Sequence, residues 1–158
     1  MNDRLLDELL RGLAQTVAKN RNGEIIDEVR NLLITAPEER HILMDLYALN
    51  VQRARDHGLE KYNTMRVHYG LRPLKSFEEL TGDTRRAKII ADYYHDINNV
   101  DPWVGILNEK SLPGAIVGEL GAEIIGLNFA RLRNGDRFWY EKQHPGSIVS
   151  EIRTTSFS

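Results

Sequence analysis

The stretch from Asp45 to Gly58 carries polar groups on a face where its apolar pattern calls for none. At helical pitch Leu46, Leu49, Asn50, Arg53 and His57 recur at i, i+3, i+4, i+7 and i+11, so two leucines, an amide, a guanidinium and an imidazole share one side. Two chemistries suit such a face. It is a core helix whose amide and guanidinium satisfy neighbouring carbonyls and carboxylates. Alternatively it lies against a ligand that is flat and apolar in the middle and anionic at its edge, because a guanidinium fork takes a carboxylate through two parallel charge-assisted bonds.

Other constellations carry less. Asp92, His95 and Asp96 fall at i, i+3 and i+4 with ligand types for a divalent metal, but a solvated acidic face produces the same pattern and no second cluster accompanies them. The run from Asp96 to Asp101 offers oxygen ligands for calcium but lacks the central glycine, and position twelve is Leu107 instead of a glutamate. No nucleophile elbow, phosphate loop or dinucleotide fingerprint is present. No catalytic residue and no metal site are therefore assigned within this chain.

Helices must hold the central face in place. Asp45 is placed to cap the start of its helix and Gly58 to end it in the left-handed conformation. Leu5, Leu6, Leu9, Leu10 and Leu13 predict an amphipathic first helix that frays through 19–23, and Ile25, Ile26, Val29, Leu32 and Leu33 predict a second over 24–33. Pro37 and the charged residues 38–40 separate it from the central helix. A short helix over 61–69 follows, then a capping-box turn at Ser76 to Glu79, a helix over 83–95, and one that opens at Pro102 with Asp101 as cap. Pro113 and Gly114 are expected to open a long helix through Leu132, packed against the central helix by Gly118, Gly121, Ala122 and Gly126 and stopped by Asn134 and Gly135. The total is seven or eight helices and no convincing strand, so the fold class is all-α.

With 158 residues, 41% apolar and 28% charged, the chain is long enough for one packed core and short for two. A net charge of -2 gives no field for nucleic acid or an acidic membrane surface. No apolar run has membrane-spanning length, and Met1 to Arg4 leads into an amphipathic pattern instead of a signal peptide. Cysteine is absent, which excludes disulfides and thiolate ligands and favours a cytoplasmic or bacterial setting over secretion. No internal repeat or low-complexity tract divides the chain.

The wording from Leu46 to Leu59, followed by Tyr62, Asn63 and Arg66, resembles the signature of the animal-type haem peroxidase superfamily. The resemblance extends to Leu10–Leu13 and Glu24–Leu33 before it, and to Asp101–Gly105, Gly118–Gly126, Phe129–Glu141 and Glu151–Ser156 after it. It implies the C-terminal helical portion of the peroxidase fold, with residues 1–158 as the C-terminal third of the domain, truncated at both ends. In that family, the asparagine matching Asn50 accepts a hydrogen bond from the histidine that ligates haem iron, which fixes the imidazole tautomer and raises its donor strength. The arginine matching Arg53 meets a haem propionate, and Leu46 and Leu49 would press on the proximal face of the porphyrin.

The resemblance also implies what this chain does not hold. The family's ligating histidine matches a segment before residue 1, so His57 is not the ligand, and the distal acid–base residues lie further upstream. Arg55, Asp56 and His57 are expected to be buried polar groups that lock the helix to its neighbours. Where the family often has cysteines, Tyr69 and Glu123 stand here. Haem is thus the cofactor implied for the complete domain, not for the isolated chain, and its chemistry is oxidation of a donor by hydrogen peroxide. The implied partners are haem, the remainder of the domain or another chain that supplies it, and a second copy meeting an exposed signature-helix face. The alternative is a non-catalytic helical interaction or scaffold module derived from the fold.

Overall fold

A computed structural model of the chain describes residues 3–18, 23–27, 29–30 and 45–156. Among these residues it has nine α-helices, one 3₁₀ turn, a short helical stretch that includes Asp27, Val29 and Arg30, and no strand. Helix α1 (Asp3–Gln15) follows the spacing of the first leucines, yet Leu5, Leu6, Leu9, Leu10 and Leu13 are all exposed. The helix expected over 24–33 is present in part where it is described: residues 24–26 are not helical, but Asp27 is helical and Val29 and Arg30 are in π-helical conformation, with the Arg30 N–H on the Ile26 carbonyl at 2.9 Å. Residues 28 and 31–33, with Pro37 and 38–40, lie outside the described residues.

Local signals set the next helices. Helix α2 (Leu46–Asp56) begins where the Asp45 carboxylate accepts the N–H groups of Tyr47 at 2.8 Å and Ala48 at 3.1 Å. It ends at Gly58 (φ 66°), where the N–H of Gly58 bonds the Arg55 carbonyl and that of Leu59 the Ala54 carbonyl, each at 3.0 Å. This crossed pair satisfies carbonyls that the helix end would otherwise leave open. Helix α3 (Tyr62–His68) closes the same way at Gly70. Helix α4 (Phe77–Thr81) is capped by Ser76, whose hydroxyl accepts the Glu79 N–H at 3.2 Å; the Glu79 carboxylate returns to Lys75 N–H at 2.9 Å, not to Ser76. Helix α5 (Thr84–Tyr94) is capped by Asp83 and followed by the 3₁₀ turn Ile97–Asn99.

Helix α6 (Pro102–Asn108) has proline in its first turn, as expected, but the Asp101 side chain makes no capping bond with it. Helix α7 (Glu119–Gly135) starts later than the sequence suggests. Pro113 and Gly114 form a turn, with Gly114 at φ 73° and the Leu112 N–H on the Val117 carbonyl at 3.0 Å, so the helix waits for Gly118. Two further helices, α8 (Tyr140–Gln143) and α9 (Gly146–Thr154), were not anticipated. No described helix is long and apolar enough to cross a membrane.

The core gathers Tyr62, Leu74, Leu80, Ile90, Ile97, Val100, Val104 and Leu120, contributed by α3 to α7 and the segments between them. Tyr47 and Val51 of α2 pack onto it from the side, and α2 contacts α6. The buried end of α7 packs on Glu109 and Ile106 instead of along α2, which corrects the expected pairing. Close approach uses Gly118 and Gly121, whereas an added carbon at Gly126 would meet open space.

Candidate functional site

The face of α2 singled out by spacing exists as a face. Leu46, Leu49 and Asn50 are half-buried, and Arg53 is exposed. The amide and guanidinium are paired with each other, one Arg53 N–H bonding Asn50 Oδ1 across one helical turn. Because a guanidinium has more N–H groups than one amide oxygen can take, this bond pre-orients Arg53 without exhausting it. An aimed guanidinium beside two leucines suits a ligand with a carboxylate edge and an apolar body.

None of these four residues lines the large cleft of the molecule. That cleft, about 970 Å³, lies on the other side of α2, where Tyr47, Val51 and Arg55 face Ile90, Tyr94 and Ile25. The candidate face is therefore one wall, without an opposing wall among the described residues.

The residues grouped with this face divide by role. Arg55 does lock α2 to its neighbours: its Nη2 meets Asp101 Oδ2 at 2.5 Å, although its side chain is half exposed. Asp56 and His57 are exposed, and Asp56 accepts the Gln52 amide of its own helix, at 2.8 Å. Of the three expected buried locks, Arg55 locks but is not buried, and Asp56 and His57 are exposed. His95 adopts φ 61° where α5 ends, which breaks the helical register that would have aligned Asp92, His95 and Asp96. Among the described residues no group of three possible ligands is placed to hold a metal.

The polar groups with most structural consequence were not singled out by spacing. Asp101, with its side chain 1% exposed, takes Arg55, Lys61 Nζ at 2.8 Å and the Tyr94 hydroxyl at 3.0 Å. Burial alone would raise its pKa, but these bonds overcome that and hold the carboxyl down at about 2. A second centre joins α3, α6 and α7. The Glu109 carboxylate accepts the Tyr62 hydroxyl at 2.7 Å, the N–H groups of Leu120 at 2.9 Å and Gly121 at 3.1 Å, and Arg66 at 3.4 Å. Arg66, 2% exposed, also bonds Glu119 at 2.5 Å and the Arg72 carbonyl at 2.8 Å. Burial and the neighbouring Glu109 charge push the Tyr62 phenol far above its usual range. Asn63 bonds Leu74 through both its amide groups, each at 2.9 Å. Tyr62, Asn63 and Arg66, quoted above as part of the signature, are thus architectural. On α2 itself, Tyr47 sits edge-on to Trp103, with ring centroids 6.5 Å apart.

Known proteins resemble this chain over nearly its whole length. The sequence model of the animal haem peroxidase family matches residues 1–158. Peroxinectin A of Dictyostelium discoideum is 35% identical over 156 residues, 99% of this chain and 29% of that protein. Mouse myeloperoxidase is 42% identical over 153 residues, 94% of this chain and 21% of that protein. The solved structure of peroxidase A from Dictyostelium discoideum superposes with a TM-score of 0.78 at 36% identity, covering 94% of this chain and 29% of that one. The chain thus spans less than a third of the length of these relatives.

Proposed function

The chain belongs to the animal haem peroxidase family, and we propose that the outer face of α2 is a haem-contacting surface, the proximal wall of a peroxidase site whose other parts lie outside these residues. The observation that carries this reading is the Arg53–Asn50 pair, held beside Leu46 and Leu49 on the side of α2 away from the cleft. The donor set suits the group: Arg53 for a propionate carboxylate, the Asn50 carbonyl for an imidazole N–H, the leucines for the porphyrin plane. Haem, when bound, supplies the redox centre at which peroxide is reduced and a donor oxidised. The residues of this chain bind and orient: Arg53 anchors the carboxylate edge, and Asn50, once released by Arg53, holds a proton at the ring nitrogen of an incoming histidine. Residues 1–158 act as a C-terminal portion of the domain, with the ligating and distal residues supplied by the remainder or by another chain.

Donor oxidation with peroxide, measured on the isolated chain after addition of hemin, tests this. The expected result is turnover no higher than that of free hemin. Robust turnover with a histidine-ligated spectrum would mean that His41, His57 or His68 serves as ligand and would overturn the division of labour. The second reading, a helical interaction module, draws on the exposed leucines of α1 and on Phe129 and Leu132 of α7. A stable oligomer without affinity for haem would favour it.

A further inference from the structure

A carboxylate at the start of a helix ordinarily bonds the N–H groups of that helix. Asp101 does not. Although it stands at the start of α6, its side chain makes no bond with that helix, and all three of its side-chain partners come from elsewhere. Arg55 reaches it from α2, Lys61 from the segment between α2 and α3, and Tyr94 from the end of α5. The Arg55 guanidinium also lies across the carboxylate, its Nε 3.2 Å and 3.3 Å from the two oxygens. Removing a buried carboxylate from water is costly unless several donors meet it, so this geometry is strongly specified. At about 100° per residue, Arg55 projects about 160° from Arg53 and about 140° from Asn50. The tie thus holds α2 from the side opposite its candidate haem face.

We infer that Asp101 is a positioning residue for the Asn50–Arg53 pair, fixing the rotation of α2 through Arg55 and so the direction in which the amide and guanidinium are presented. This rests on the haem reading of α2 for its functional meaning, but the geometry it asserts is independent of haem. A purely structural role would lower stability when the tie is cut and leave the native direction of Asn50 and Arg53 unchanged. A positioning role changes that direction in a chain that remains folded.

The test is side-chain nuclear magnetic resonance of the full chain, following the Asn50 amide and the Arg53 Nε–H. Asp101→Asn weakens the tie at its buried end. Arg55→Gln cuts it at the half-exposed end and preserves the fold should the first variant fail to. Tyr62→Phe, which removes a buried bond to Glu109 away from α2, is the control. The expected result is that both resonances move by more than their linewidths in each tie variant and stay in place in the control. Unmoved resonances in a folded Arg55→Gln chain would overturn the inference, as would equal movement in Tyr62→Phe. Hemin and its dimethyl ester, which lacks the carboxylates, are then added to the wild-type chain. A shift of Arg53 Nε–H with hemin but not with the ester supports the haem reading. No shift with either counts against that reading alone, because the first comparison has already decided the role of Asp101.

Discussion

Asp101 has the sequence context of a helix cap and the bonds of a cross-helix tie. Its carboxyl, ordinarily near 3.8, is held at about 2 by Arg55, Lys61 and Tyr94 against the opposing effect of burial. A depressed carboxyl contributes stability that is fully present above about pH 4 and is lost as pH falls towards about 2. The difference in urea stability between wild type and Asp101→Asn should therefore narrow across that window; a constant difference would contradict the assignment. Asn50 and Arg53 were legible in the sequence because their spacing is local. The duty of Asp101 was not, since its partner on α2 is 46 residues away and a cap was the local reading available. The same holds for Glu109, whose partners Tyr62 and Arg66 are 47 and 43 residues distant.

At the scale of elements, α6 joins the two buried polar centres, with Asp101 before its first residue and Glu109 after its last. Between them Gly105 faces the Tyr62 ring so closely that an added methyl would overlap it. Gly105→Ala should cost about 3 kcal/mol, the upper part of the range for overpacking, because Tyr62 is fully buried and its hydroxyl is fixed on Glu109. Glu109→Ala should cost roughly 1–3 kcal/mol, since it leaves the buried Tyr62 hydroxyl and the N–H groups of Leu120 and Gly121 without their acceptor while Arg66 keeps Glu119. Urea unfolding midpoints check both, and a loss below about 1 kcal/mol in either would show that the site relaxes freely. Helices α2, α3 and α5 were readable from end signals and periodicity, α4 as a capped turn, and α6 from its first-turn proline although Asp101 does not cap it. The start of α7 was not, because Pro113 and Gly114 favour a helix start as readily as the turn they form, and only the contact of Gly118 with Glu109 decides. Helices α8 and α9 have no buried residue; α8 is too short for a periodic stripe, and in α9 Ile148, Val149 and Ile152 form one that meets no core.

At the scale of the molecule, the core of the described residues runs from α3 through the first turn of α7, and several large apolar side chains outside it are exposed. Leu9, Leu13 and Val17 near α1, and Phe129, Leu132 and Phe138 in and after α7, are all more than half exposed. Contiguous apolar surface beyond a few hundred Å² is rarely left bare by a soluble monomer. The chain alone is expected to self-associate, and light scattering that shows a monomer would contradict this. The half-burial of Leu46 and Leu49 moves the expected contact from the signature helix towards α1 and α7. The central claim concerns the α2 face, and haem retention tests it most directly in a complete peroxidase domain carrying this sequence. Arg53→Ala should weaken retention by roughly 1.5–3 kcal/mol, the range for a hydrogen bond to a charged group, while Asn50→Ala should retain haem with a shifted reduction potential. If both variants keep wild-type affinity and potential, α2 is a core helix and its polar pair serves only itself.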